Sequence, residues 1–145
     1  MLFRSDEAEK VRAMAAYALA HIGPESVPSL IRALQDEHFL VREWTAHALA
    51  GLGPDGKEAV GALIETLQDR DDLVRMRAVL ALGSMGPEAK KAVPALSKLL
   101  NHDNQTLWIN AVTALGNIGP DAREVMPLLR EKLTDDDPEI GRAHV

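Results

Sequence analysis

The chain has 145 residues and a formal net charge of −6, with 22 acidic against 16 basic side chains. This length suits one domain, and the acidic balance disfavours a phosphate backbone as partner unless the basic residues share one face. Cysteine is absent, so nothing indicates a disulfide-stapled secreted domain or a thiolate metal site. The N-terminus has no signal-like apolar run, and no stretch approaches the ~18 apolar residues of a membrane helix. We therefore expect a cytoplasmic protein that binds neither nucleic acid nor membrane.

One block of sequence occurs four times along the chain. Its copies begin at Val11, Val41, Val74 and Leu107, with spacings of 30, 33 and 33 residues, and Ile140 begins a fifth after another 33. Such a period indicates an array in which each unit packs on its neighbours. We predict a single domain over residues 1–145, with repeats at about 6–38, 39–71, 72–104 and 105–137 and a partial fifth at 138–145.

Each repeat contains two predicted helices. Apolar residues at positions 1, 5, 8, 9 and 12 of the block form one stripe of a helix, and the Gly-Pro pair that follows ends this helix A. A second apolar series, Val27, Leu30 and Leu34 in the first repeat, predicts helix B. Polar turns rich in Asp and Asn then provide N-caps for the next helix A. The predicted fold class is all-α.

Over residues 6–145 the repeats follow one order, which is an Asp, a Val-Arg pair, an Ala-Leu-Gly run, a Gly-Pro pair and a Val-Pro-x-Leu series. This order resembles HEAT repeats. The resemblance is to the short HEAT-like class named after phycobilisome lyases. It implies an α-solenoid, a right-handed superhelix of about four antiparallel helix pairs, with helix B on the concave face. It also implies a ladder between neighbouring repeats, made by an Asp in the B-to-A turn and an Arg six residues later. The residues at the ladder positions are Asp6 and Arg12, Asp36 and Arg42, and Asp69 and Arg75.

The fourth repeat departs from the ladder at both positions. His102 stands where the Asp is expected and Trp108 where the Arg is expected. Joint replacement avoids leaving a half-buried charge without its partner. Trp108 is then either a packing substitute for the ladder or an aromatic anchor for a binding partner.

Charged residues form rows at the solvent positions of helix B. Stacked neighbours alternate in sign through most of each row, which predicts ion pairs between repeats and a poor track for nucleic acid. This mixed-charge groove is a candidate protein-binding surface, and a solvated, self-neutralised face is the competing interpretation. One row contains Arg32, Glu65, Lys98 and Glu131, and the other contains Glu25, Glu58, Lys91 and Glu124.

Positions 3, 7 and 10 of helix A are predicted to face outward, and they become apolar toward the C-terminal half. Met76, Leu80 and Ile109, with Trp108 beside them, form a candidate apolar patch for self-association or for another protein. Single exposed hydrophobic side chains are also ordinary on protein surfaces. Trp44 lies on the flank of the stripe, where packing and ligand contact are both possible.

No pattern indicates a catalytic residue, a metal site or a cofactor. The histidines show no paired metal spacing, and no nucleophile or phosphate-loop motif occurs. We therefore expect a non-catalytic scaffold for binding another protein. The alternative, implied by the resemblance, is an accessory subunit of a chromophore (phycobilin) lyase or a similar protein-modifying complex. Arrays also need polar capping units, so we expect either that the chain is a piece of a longer protein or that its C-terminal end pairs with another molecule, self-association included.

Overall fold

The computed structural model describes residues 4–134. Within this range the regular structure is helical, with eight α-helices in four pairs and 3₁₀ turns between them, which confirms the all-α class. The predicted partial repeat at 138–145 lies outside the described residues. The helices A are α1 (Ser5–Ile22), α3 (Phe39–Leu52), α5 (Asp72–Ser84) and α7 (Gln105–Ile118), and the helices B are α2 (Val27–Ala33), α4 (Val60–Thr66), α6 (Val93–Lys98) and α8 (Met126–Thr134).

The helices A end at or just before the Gly-Pro pairs. At the end of α7, Gly119 has φ 85°, a left-handed conformation in which a β-carbon would be strained. Its amide N–H donates to the Leu115 carbonyl at 3.1 Å and closes the last turn. Pro120 then begins the 3₁₀ turn that leads into α8. The predicted ends are confirmed at α1, α3 and α7, and α5 ends two residues before its glycine.

Short polar side chains cap the starts of the later helices A. The Asp71 carboxylate accepts two amide N–H groups in the first turn of α5, at 3.0 and 3.1 Å. Asn104 accepts one in the first turn of α7, at 3.0 Å. At α3 the cap is His38, whose Nδ1 accepts the N–H of Leu40 at 3.2 Å. Each cap satisfies a donor that the helix itself leaves unpaired.

The core is a row of junctions between successive helix pairs. Helix α1 packs on α3, α3 on α5, and α5 on α7, while each helix B packs beside its own pair and the next. In α3, α5 and α7 the predicted stripe is buried or nearly so, as at Leu49 and Leu82. Small residues permit close approach, because a β-carbon on Gly83 would lie 3.0 Å from Ala114 Cα. The stripe of α1 is exposed, since no described helix packs on that side.

The prediction that positions 3 and 10 of helix A face outward is wrong for the earlier repeats. Ala13 and Ala20 are almost fully buried, and Gly83 is buried as well. These positions lie against the following pair, where small side chains allow two helices to approach. Of the three predicted positions, position 7 is the one that turns to solvent, as Tyr17 and Leu80 illustrate.

Candidate protein-binding surfaces

Arginine and aspartate side chains join the first three repeats at the B-to-A turns. Arg12 donates from Nε and Nη2 to the two carboxylate oxygens of Asp36, at 2.9 and 3.1 Å. Arg42 does the same to Asp69, at 2.7 and 3.0 Å, and its side chain is only 7% exposed. Both pairs are the bidentate type that fixes orientation as well as charge. Asp6, the first residue at a ladder position, lies exposed in the first turn of α1.

The second ion pair, Arg42 with Asp69, is more buried than the first. Arg42 also donates from Nη1 to the carbonyls of Asp36 and Glu37, at 2.9 and 3.1 Å. Burial alone would raise the pKa of Asp69, but hydrogen bonds from Arg42 and from the Asp71 amide, with the arginine charge, lower it overall. The pKa of Asp36 is lowered in the same way, with burial opposed by Arg12 and by the His38 amide. Both carboxylates therefore stay ionised in the folded protein.

The ladder stops at the junction between the third and fourth repeats. Arg75 donates to the Asp69 carbonyl at 2.6 Å and pairs with the exposed carboxylate of Asp72 on its own helix. His102 occupies the position of the missing aspartate, and its Nδ1 still accepts the amide of the second residue beyond it, at 3.1 Å. Asp36 and Asp69 make that same turn bond. His102 therefore keeps the turn but offers no carboxylate to Arg75.

Trp108 contacts the backbone from the ladder position that Arg42 occupies two repeats earlier. Its Nε1 donates to the Leu100 carbonyl at 3.1 Å, and the ring is half-buried against the core. Arg42 likewise donates to carbonyls of the turn before its own helix. The indole thus supplies a donor to the B-to-A turn without supplying a charge.

The residues of the predicted apolar patch do not share one environment. Met76 is half-buried beside α7, while Leu80 is 39% exposed on the outward side of α5. Ile109 is 51% exposed, but it occupies the position that faces the following pair. Met76 and Ile109, both at position 3, therefore lie on the side of the following pair, while Leu80 lies on the outward side and Trp108 is half-buried at the ladder position.

An aromatic cluster on α1 and α3 was not predicted. We use this name for Tyr17, His21, Trp44 and His47. The Tyr17 ring lies 4.2 Å from His21 and 5.8 Å from Trp44, between centroids, and Trp44 meets His47 edge to face at 5.5 Å. Such tilted and edge-to-face contacts are the favourable geometries for aromatic pairs. The repeat pattern contained the information needed to predict this cluster, because positions 4 and 7 of successive blocks are neighbours on the outward side.

Charged side chains on α3 and α5 border the aromatic cluster. Arg77 lies 3.5 Å from the Glu43 carboxylate and 3.4 Å from Nδ1 of His47. Because a guanidinium can only donate, Nδ1 is the acceptor in this contact. The outward side of the first three helices A therefore combines aromatic area with a polar rim. This composition is typical of protein interfaces.

The charged rows are exposed but do not form the predicted ion pairs. The placement of the second row on helix B was wrong, because Glu25, Glu58, Lys91 and Glu124 lie in the 3₁₀ turns that precede the helices B. Among the ion pairs of residues 4–134, none joins two members of the rows. Glu58 and Lys91 both line a groove of about 410 Å³ between the second and third pairs. Long exposed side chains gain little from pairing in water, which explains why sign alternation did not produce contacts. Arg32, Glu65, Lys98 and Glu131 are all exposed.

Residues 4–134 contain no cluster of three or more His, Cys, Asp or Glu side chains arranged to hold a metal ion. None of the helices in that range combines the length and apolar character needed to cross a membrane.

Comparisons with known proteins identify the family. The sequence model of HEAT repeats matches residues 2–68 and 51–108. An engineered protein of known structure is similar at 28% identity and a TM-score of 0.61, covering 90% of this chain and 68% of that chain. The complex of CpcE and CpcF of phycocyanin lyase from Nostoc sp. PCC7120 is similar at 25% identity and a TM-score of 0.71, covering 90% and 84%. No curated protein matches. Because the sequence model covers more than half of its length, the chain belongs to the HEAT repeat family.

Proposed function

We propose that this protein is a non-catalytic scaffold that binds another protein through the outward side of its helices A. The observation that carries the proposal is the aromatic cluster, which joins two repeats on a side that stacking of the pairs leaves in solvent. Tyr17 is 36% exposed, and Met14 one turn earlier is 47% exposed. The cytoplasmic location and the absence of nucleic-acid binding stay predictions of the acidic, cysteine-free sequence.

The cluster has the physical properties of a binding anchor. Tyr and Trp contribute large contact areas at a low cost in side-chain entropy, and they dominate many protein interfaces. Mutual ring contacts already hold Tyr17, Trp44 and His47 in place. A partner would therefore meet a surface that is ordered before binding. Arg77 and Glu43 at its edge supply the charges that select orientation.

Other predicted residues either extend this binding surface or form a separate one. Leu80 extends the same outward side onto α5 and is the member of the predicted apolar patch best placed to contact the same partner. The charged rows would instead offer a mixed-charge groove to a partner segment that carries both acidic and basic side chains. Salt dependence separates the two surfaces, because binding to the rows weakens with ionic strength while binding to the aromatic cluster changes little.

The experiment is a quantitative crosslinking pulldown from the native cell with matched variants. Tyr17→Ser removes the ring that contacts the other three members of the cluster, and we expect at least a tenfold loss of the captured partner. Thr113→Ala, at the same position of the fourth block, is the control and should capture normally. Equal capture by Tyr17→Ser and the control would reject the aromatic cluster as the binding surface. Loss in Lys91→Glu instead would assign binding to the charged rows.

The similarity to the phycocyanin lyase complex supports a second candidate function. That structure contains two subunits, CpcE and CpcF, and it matches nearly the whole of this chain. On this basis we propose, as the alternative, an accessory role in a chromophore lyase or a similar protein-modifying complex. Pulldown with a phycobiliprotein, followed by visible absorbance of the eluate, tests it. A colourless eluate without phycobiliprotein would remove this candidate and leave the general scaffold in place.

A further inference from the structure

Within the described residues 4–134, no helix covers the apolar stripe of α1, here called the head surface. Val11 is 45% exposed and Ile22 is 72% exposed, while the residues at the position of Val11 in α3, α5 and α7 are 4% exposed or less. Ala15 and Ala18, on the same stripe, are exposed as well. In the later repeats this stripe packs on the preceding pair. The head surface therefore presents to solvent what three other helices bury.

Among residues 4–134, nothing covers the corresponding surface of the last described pair, here called the tail surface. Leu133 on α8 is 86% exposed, whereas its equivalents in the earlier repeats are 2% to 6% exposed. Met126 is 44% exposed and Ile109 is 51% exposed. In each earlier repeat the equivalent residues lie against the following helix A. The equivalents of Leu133 are Leu34, Leu67 and Leu100, and those of Met126 are Val27, Val60 and Val93.

Head and tail are the two halves of an interface that already occurs between repeats. The head stripe has nearly the same side chains as the stripe that α7 buries on the third pair. The two stripes are Val11, Ala15, Ala18, Leu19 and Ile22 in α1, and Leu107, Ala111, Ala114, Leu115 and Ile118 in α7. A surface that accepts one of them has the size and chemistry to accept the other.

We propose that the tail surface of one molecule binds the head surface of a second copy, so that the stack of helix pairs continues across the molecular boundary. The contact is continuous with the internal junctions and uses the same positions on both sides. It does not require the arginine and aspartate ladder, because the junction between α5 and α7 forms without one.

This contact is heterologous, since two different surfaces meet. Each added molecule leaves one head and one tail uncovered, so the assembly is open and its mass rises with concentration. It is also independent of the aromatic cluster, which faces outward from the stack. Loss of the proposed partner binding and loss of self-association are therefore separate outcomes.

The test uses two charge variants and their mixture in sedimentation velocity. Ile22→Glu blocks the head and Leu133→Glu blocks the tail, and helical circular dichroism confirms folding, since both side chains are exposed. We expect the wild type to gain mass with concentration and each variant alone to stay monomeric. An equimolar mixture should give a complex of two chains and nothing larger, because one intact tail then meets one intact head. Leu80→Glu, on the outward side, is the control and should associate as the wild type does.

Four results would overturn the proposal. The first is a wild type that stays monomeric up to its solubility limit. The second is association that persists in either blocked variant, which shows that the contact uses another surface. The third is a mixture that remains monomeric, which shows that an intact tail and an intact head do not bind each other. The fourth is loss of association in Leu80→Glu, which assigns the contact to the outward side.

Discussion

The first two junctions of this protein and the third have the same helix packing but different polar contacts. Bidentate ion pairs, Arg12 with Asp36 and Arg42 with Asp69, cross the first two. At the third, Arg75 pairs within its own helix, and Trp108 donates to a backbone carbonyl instead. Apolar burial is therefore sufficient to stack two repeats, and the ladder adds register and orientation where it is present.

The largest effect should come from removing the deeper ion pair. Arg42→Ala leaves the Asp69 carboxylate in a largely buried site without its cation and frees two backbone carbonyls. We expect a loss of about 3 to 5 kcal/mol in the free energy of unfolding, measured by urea titration followed by circular dichroism.

Arg75→Ala is the matched control for that variant, since it removes an arginine at the same position where no aspartate faces it across the junction. Its ion pair with the exposed Asp72 should contribute only about 0.2 to 1 kcal/mol. Equal losses in the two variants would contradict the distinction between the junctions.

A second comparison uses two glycines at the same repeat position. Gly83 faces α7, and an added β-carbon would lie 3.0 Å from Ala114 Cα, whereas nothing lies within 4 Å of one on Gly116. Gly83→Ala must separate two helices, and we expect a destabilisation of about 1 to 3 kcal/mol. Gly116→Ala should stabilise α7 by about 0.5 to 1 kcal/mol through backbone entropy. If both substitutions raise the melting temperature, the contact between α5 and α7 at Gly83 has room for a β-carbon.

A third variant restores a carboxylate to the junction that lacks one. His102→Asp places an acceptor where Asp36 and Asp69 stand, and it can keep the same turn bond to the backbone. Arg75 could then leave Asp72 and bridge the repeats, with an expected gain of up to about 1 kcal/mol. His102→Asn keeps the turn without the charge and should give no such gain. Equal melting temperatures for the two variants would mean that Arg75 does not cross the junction.

The smallest expected effect is on how far the free energy of unfolding falls at acidic pH. The folded pKa of Asp69 is lowered below the ordinary value of 3.8. Its contribution is therefore complete above that value and is lost as the pH falls through the folded pKa. Asp69→Asn should be less stable at neutral pH but lose less stability on acidification than the wild type. If the free energy of unfolding falls equally with acidification in the two proteins, protonation of Asp69 is not coupled to unfolding.

The array and its helix ends could be predicted from the sequence, because they depend on local periodicity, glycine and proline. The spacing of Asp36 and Arg42 pointed to a ladder through resemblance, but which partners meet across a junction required coordinates. The outward direction of positions 3 and 10 was wrong, because small residues there admit the next helix. The aromatic cluster was missed because Tyr17 and Trp44 belong to different repeats. Only the packing of α1 on α3 brings them together.

The turn between helix A and helix B has different lengths in different repeats. It spans Pro24–Ser26 in the first repeat and Gly53–Ala59 in the second, yet the helices that follow bury their first valine equally well. This edge of the molecule therefore absorbs insertions without disturbing the stack. A reporter peptide or a fluorescent label grafted into the turn after Pro54 would read out assembly while leaving the outward side and both ends of the array untouched.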